Sequence, residues 1–204
     1  MGVSKEQALE NRQAIVAAAA RLFRERGVDG VGLVELMKAA GFTPGGFYNH
    51  FKSKQALAQE VVHDALLQGG AQLDSLLSQD AALLQQLAFY LSPAHRDDIE
   101  HGCPFAGLAT DVARLGPEVQ TEYAQAMKMT FERFGALLEA LPPLPPPAAL
   151  PTPFERGMAY YSQLVGAVVL ARSVKDADPA LSQALLSGVR GDILAALALK
   201  PSAT

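Results

Sequence analysis

Apolar positions in this chain recur every three to four residues along most of its length, the period of one buried helical face. Ser4 followed by Gln7 has the form of a helix N-cap with a partner three residues on, and Ile15, Ala19, Leu22 and Phe23 then repeat at helical spacing to Arg26. Gly27 supplies a stop. A short apolar helix is predicted over Leu33–Ala40, and Gly41 can take a left-handed turn. Thr43-Pro44 is a cap followed by proline at the first helical position, opening a very short helix to about His50. Ser53 caps a long helix from Lys54 to about Gln79. Further segments are expected over Leu83–Leu91, Cys103–Leu115 and Glu118–Leu141, with a polar loop at His95–Gly102. The last two are Phe154–Ser173 and Pro179–Leu199. Residues 141–153 hold seven prolines and are expected to form a stiff, extended connector. No segment alternates as a strand does. The expectation is an all-α chain of about nine helices, with a head at 1–53 and a helical body at 54–204.

A helix, a glycine-containing turn and a second short helix have the spacing of a DNA-reading helix-turn-helix. The net charge of −4 argues against nucleic acid until its distribution is considered. Residues 1–54 carry eight basic and five acidic side chains, a net +3, whereas the remainder carries nine and sixteen, a net −7. Phosphate binding needs a local positive potential only. The chain is 50% hydrophobic, so it can build a core, and has no Trp. Its one cysteine, Cys103, forbids an internal disulfide and fits a reducing compartment. No apolar run follows a basic start, and none is long enough for a bilayer, so a soluble cytoplasmic protein without membrane partners is expected. The four His are scattered and the Cys stands alone, so no metal or cofactor is expected.

Residues 12–61 resemble the DNA-binding domain of the TetR family of transcriptional regulators. The resemblance rests on Arg12, Ile15, Ala18, Ala19, Leu22, Phe23 and Gly27, on Leu36, Ala39, Ala40, Gly41, Phe42 and Thr43, and on the run Gly46-Phe47-Tyr48-Asn49-His50-Phe51-Lys52-Ser53-Lys54 with Leu57. It implies a three-helix DNA-binding domain, a C-terminal helical domain for ligand binding and dimerisation, and a repressor released from a palindromic operator by a small molecule. Thr43 can cap the reading helix while exposed backbone N–H groups face a phosphate. Pro44, Gly45 and Gly46 allow close approach to a base edge, and Asn49 can read adenine. By resemblance Tyr48, His50 and Lys54 contact the sugar-phosphate backbone. Phe47 and Phe51 are expected in the core. Gly32 departs from the family pattern of Ser or Thr at the start of the second helix, so a side-chain phosphate contact is missing there.

The resemblance also implies a homodimer through the last two helices. Tyr161, Val165, Val168 and Val169, then Leu181, Leu185, Val189 and Ile193, are the interface candidates, with Gly157, Gly166 and Gly188 permitting close approach. Some of these must also serve the chain's own core. Pocket candidates for a small, mostly apolar effector are Phe89, Tyr90, Phe105, Leu108, Tyr123, Met127, Phe131, Phe134 and Tyr160. Cys103 starts a helix within His101-Gly102-Cys103-Pro104. It is either a small structural residue or a thiol, activated by the helix dipole, that tunes or senses a reactive ligand. Two rival readings are weaker. An enzyme using Cys103 with His101 or His95 and Asp97, Asp98 or Asp111 leaves the head unexplained, and no activity as an enzyme is expected. A structural protein that has lost DNA binding would account for Gly32, Gly45 and Gly46.

Overall fold

The structure is a computed structural model that describes residues 4–77, 82–139 and 152–197, and these are helical with no strand among them. The helices are α1 (Lys5–Arg26), α2 (Leu33–Ala39), a 3-10 helix (Pro44–Asn49), α3 (Lys54–Leu77), α4 (Ala82–Tyr90), α5 (Pro93–Asp97), α6 (Pro104–Val112), α7 (Pro117–Glu139), α8 (Pro153–Val174) and α9 (Pro179–Ala196). The proline-rich connector expected at 141–153 lies outside the described residues apart from its last two. Those two begin α8, where Thr152 and Glu155 form a reciprocal capping box.

Local chemistry explains most boundaries. Ser4 accepts the Gln7 N–H at 3.1 Å, but the Gln7 side chain turns along the helix to Glu10 and Asn11 instead of back to the cap. Gly27 ends α1 at φ 73° and Gly41 turns the chain at φ 84°, backbone that side-chain-bearing residues rarely adopt. Ser53 accepts the Ala56 N–H, and Asp178 the Leu181 N–H. One expectation needs correcting. The stretch at His95 is not all loop, because Ser92-Pro93 both ends α4 and opens α5, with the Ser92 hydroxyl accepting the His95 N–H at 3.2 Å.

Two apolar clusters organise the molecule. The first joins the head to α3, α6 and the N-terminal half of α7 through Ile15, Phe23, Leu36, Phe47, Leu57 and Leu108. The second joins α4 and the rest of α7 to α8 and α9 through Leu87, Phe134, Leu164, Val168, Leu186 and Ile193. Cys103 and Tyr161 pack against both. Helices α7 and α8 meet through glycine, since a Cβ on Gly157 would collide with the Phe131 carbonyl and one on Gly135 with that of Pro153. Gly157 therefore permits a close approach within the chain, not between copies.

Candidate functional site

The 3-10 helix divides its residues between core and solvent. Phe47 is fully buried and stacks on Phe51 with ring centroids 5.7 Å apart. The Arg12 guanidinium lies 4.3 Å from the centre of the Phe51 ring and pairs with Glu60 of α3. α1, the reading helix and α3 are thus clamped together. Opposite this anchor, Thr43, Pro44, Gly45, Tyr48 and Asn49 are exposed, and Gly46, His50 and Lys54 are half-buried. Tyr48 is 68% exposed, so its ring and hydroxyl are both free to meet another surface.

The Thr43 hydroxyl makes no cap bond, contrary to the expected role as a capping side chain, and is exposed. The segment winds as a 3-10 helix instead of an α-helix, as a six-residue turn with Pro44, Gly45 and Gly46 can. Gly32 starts α2 without a side-chain cap, and a Cβ there would meet nothing within 4 Å. Among the described residues Arg12, Arg21 and Arg26 pair with Glu60, Glu25 and Glu35, whereas Lys38, Lys52 and Lys54 have no carboxylate partner. Lys5 and Arg24 likewise pair with no carboxylate among the described residues, Arg24 donating instead to the Glu100 carbonyl, so the head keeps unneutralised positive charge.

The body holds a partly open cavity of about 520 Å³ between α3, α4, α6, α7 and α8. Of the expected lining residues, Phe89, Tyr90, Cys103, Phe105 and Phe134 contribute to its wall. Leu108, Tyr123, Met127, Phe131 and Tyr160 do not. Leu108 is fully buried in the first core, and Tyr123 is buried behind Phe105, to whose carbonyl its hydroxyl donates at 3.4 Å. Met127 packs on the first cluster, Phe131 against Phe154 and Tyr161, and Tyr160 in the second cluster. Residues not expected at the wall include His95, Gln86, Thr130, Arg133 and Tyr161. Tyr161, expected at the dimer surface, lines the cavity, and its neighbour Tyr160, expected in the pocket, is buried in the second apolar cluster.

One end of the cavity is polar and tightly bonded. The Cys103 sulfur lies 3.6 Å from the Tyr161 hydroxyl. His95 Nδ1 donates to the Tyr90 carbonyl at 2.8 Å, and its Nε2 accepts the Cys103 backbone N–H at 3.3 Å. His95 therefore serves as a neutral strut and not as a base toward the thiol. Burial lowers its pKa, and the Arg172 charge works in the same direction. Arg172 donates to the carbonyls of Arg96 and His95, holding the end of α5. Burial raises the Tyr90 and Tyr161 hydroxyls well above the usual phenol value, and the nearby Cys103 sulfur adds to this.

Helix α6 runs from this site to the head. Cys103 and Pro104 line the cavity at its start, and near its end the Asp111 carboxylate accepts the Val28 N–H of the α1–α2 turn at 2.8 Å. Arg24 of α1 also donates to the Glu100 carbonyl, just before α6. Asp111 thus belongs to the head junction and not to a catalytic group with Cys103. On the proposed dimer surface, Val168 and Ile193 are fully buried within the chain, and Val165, Leu185 and Val189 are half-buried. Val169 and Leu181 are exposed, as is the neighbouring Leu170. No helix among the described residues is long and apolar enough to cross a membrane, and none of their His, Cys, Asp and Glu side chains cluster as a metal site would.

A helix-turn-helix head with a local excess of basic residues is thus seated on an all-helical body that holds a partly open cavity. Residues 15–61 match the profile of the bacterial regulatory proteins of the tetR family. The regulator AcrR of Shigella flexneri is 47% identical over 58 residues, 28% of this chain and 27% of its own length. The repressor DhaR of Mycobacterium sp. strain GP1 is 26% identical over 125 residues, 60% of this chain and 63% of its own. The chain thus spans less than two thirds of either relative. Solved structures share the fold more broadly. Reduced NemR of E. coli superposes with a TM-score of 0.74 at 20% identity, covering 94% of this chain and 100% of that one. A TetR regulator from Chloroflexus aurantiacus gives 0.72 at 24%, covering 92% and 96%.

Proposed function

We propose that the protein is a ligand-responsive transcriptional repressor that binds a palindromic operator as a cytoplasmic homodimer and leaves it when a small molecule fills the cavity. The observation that carries this reading is the dual role of α6. The same short, rigid helix forms cavity wall at Cys103–Phe105 and holds the head turn through Asp111 and Val28. A ligand that displaces the start of α6 must move or strain the contact at its end, since packed interiors shift between discrete arrangements instead of deforming smoothly. Thr43, Pro44, Gly45, Gly46 and Asn49 face the bases, and Tyr48, His50 and Lys54 the backbone. One short reading element with so few base-facing side chains binds weakly alone, so specificity requires two heads. The exposed Val169, Leu170 and Leu181 supply an apolar surface for the second copy, and Gly166 and Gly188 leave open space beside it.

The test is fluorescence anisotropy of the full chain on the DNA upstream of its own coding region, with a salt series and an effector screen. Affinity that falls steeply with salt and a compound that releases the DNA support the reading. Absence of sequence-specific binding would return the chain to a structural role. A monomer in light scattering, or a fragment of residues 1–60 that binds as tightly as the full chain, would remove the dimer.

A further inference from the structure

Among the residues that line the cavity, Tyr90 alone has a buried hydroxyl that makes no hydrogen bond of normal geometry among the described residues, although Cys103 and Tyr161 lie beside it. Tyr90 is 7% exposed, and its hydroxyl sits at the end of the cavity shared with Cys103 and Tyr161. Leaving such a group poorly paired is costly, so a bound molecule that accepts this bond relieves that cost. Burial keeps the phenol protonated, so besides its oxygen lone pairs it carries an O–H donor, the half of the group that a carbonyl oxygen would satisfy.

The rest of the wall restricts the molecule further. Phe89, Tyr90, Phe105, Phe134 and Tyr161 surround the space with rings. The charged groups at the rim are already paired: Arg133 with Asp74 at 3.3 Å, His101 with Asp98 at 3.0 Å, and Glu122 with His63. An ionised ligand finds no free counter-charge, and an unpaired charge in such a site gives up solvation that nothing replaces. An apolar cavity of about 150 Å³ accommodates one benzene. The observed volume of about 520 Å³ has room for two or three rings.

We infer that the effector is a neutral, flat molecule of two or three aromatic rings carrying a carbonyl oxygen, and that Tyr90 donates the hydrogen bond that orients it beside Cys103. This rests on the cavity being the effector site of the proposed repressor.

Xanthone, xanthene and a xanthone carboxylate test the inference in equilibrium dialysis against the full chain. They share one three-ring frame, and respectively carry a neutral carbonyl, no carbonyl, and a carbonyl with a negative charge. Xanthone is expected to bind about tenfold tighter than either of the others. Tyr90→Phe, which keeps the ring packed on His95, should abolish the preference over xanthene without changing xanthene binding. Bound xanthone should also slow alkylation of Cys103 by iodoacetamide in the unaltered protein, a measurement independent of any variant. Equal binding of xanthone and xanthene, a preference that survives Tyr90→Phe, or tightest binding by the carboxylate overturns the inference while leaving the cavity a ligand site. No binding by any of the three, with Cys103 alkylated at one rate throughout, overturns both.

Discussion

Asp111 accepts a hydrogen bond from the Val28 backbone N–H at 2.8 Å, joining residues 83 positions apart. The carboxylate is 3% exposed and also pairs with Arg114 at 3.1 Å, so a charge from the body is held inside the junction with the head. The Gly27 turn packs against it, where a Cβ would approach an Asp111 oxygen to 3.3 Å. Removing the acceptor strands a buried N–H and opens a void. Asp111→Ala is expected to destabilise the chain by about 2–3 kcal/mol, and Asp111→Asn, which keeps an acceptor, by clearly less. Urea unfolding checks this; equal losses would mean that the hydrogen bond contributes little beyond packing. If α6 also transmits ligand binding, Asp111→Asn should weaken effector-driven DNA release more than it weakens DNA binding.

The head was legible from sequence because its signals are local. Gly27, Gly41, Thr43-Pro44 and Ser53 mark turns and caps within a few residues, and the boundaries found match those marks closely. The cavity was only partly legible, because its wall depends on helix phase. Adjacent residues on a helix point about 100° apart, so a one-residue step from Tyr160 to Tyr161 separates a residue of the core from one of the cavity wall. His95 was hidden for a different reason: its role comes from a carbonyl five residues back and an N–H eight residues on, which no periodicity records. Asp111 joins elements through a contact that no spacing within the chain announces.

Gly32 offers a gain of function. Its backbone is already in the extended conformation of a cap, φ −77° and ψ 148°, and a side chain there meets nothing. Gly32→Ser should stabilise α2 by a few tenths of a kcal/mol and add a hydroxyl where a phosphate can approach. A higher melting temperature together with tighter operator binding is expected. Tighter folding with unchanged DNA affinity would show that this end of α2 does not meet the backbone.

Lys54 stands half-buried at the start of α3 with no carboxylate partner. As a phosphate ligand it contributes to affinity for every sequence equally. Lys54→Ala should weaken specific and non-specific DNA binding by similar factors and reduce the slope of log affinity against log salt by about one. A selective loss on the operator, with the slope intact, would instead make it a base-reading group.

His95 makes the cavity sensitive to acid. Its two ring nitrogens are committed as donor to Tyr90 and acceptor from Cys103, an arrangement only the neutral ring can satisfy. Burial is the largest influence and lowers its pKa below the ordinary 6.5; the Arg172 charge adds to this, while the Tyr90 carbonyl and Asp98 oppose it. The unfolded chain therefore takes up the proton first as the pH falls. The stabilisation from neutral His95 is fully present above about pH 6.5 and is lost as the pH drops toward the lower folded-state value. Melting temperatures of the unaltered protein should decline from neutral pH to about pH 5. His95→Gln should melt lower at pH 7.5 but decline less over the same range, since it has no proton to gain. Parallel curves for the two proteins would assign the acid sensitivity to other groups. Protonation also removes the acceptor for the Cys103 N–H, where α6 begins, so ligand affinity should weaken with the same pH dependence if the cavity depends on that bond.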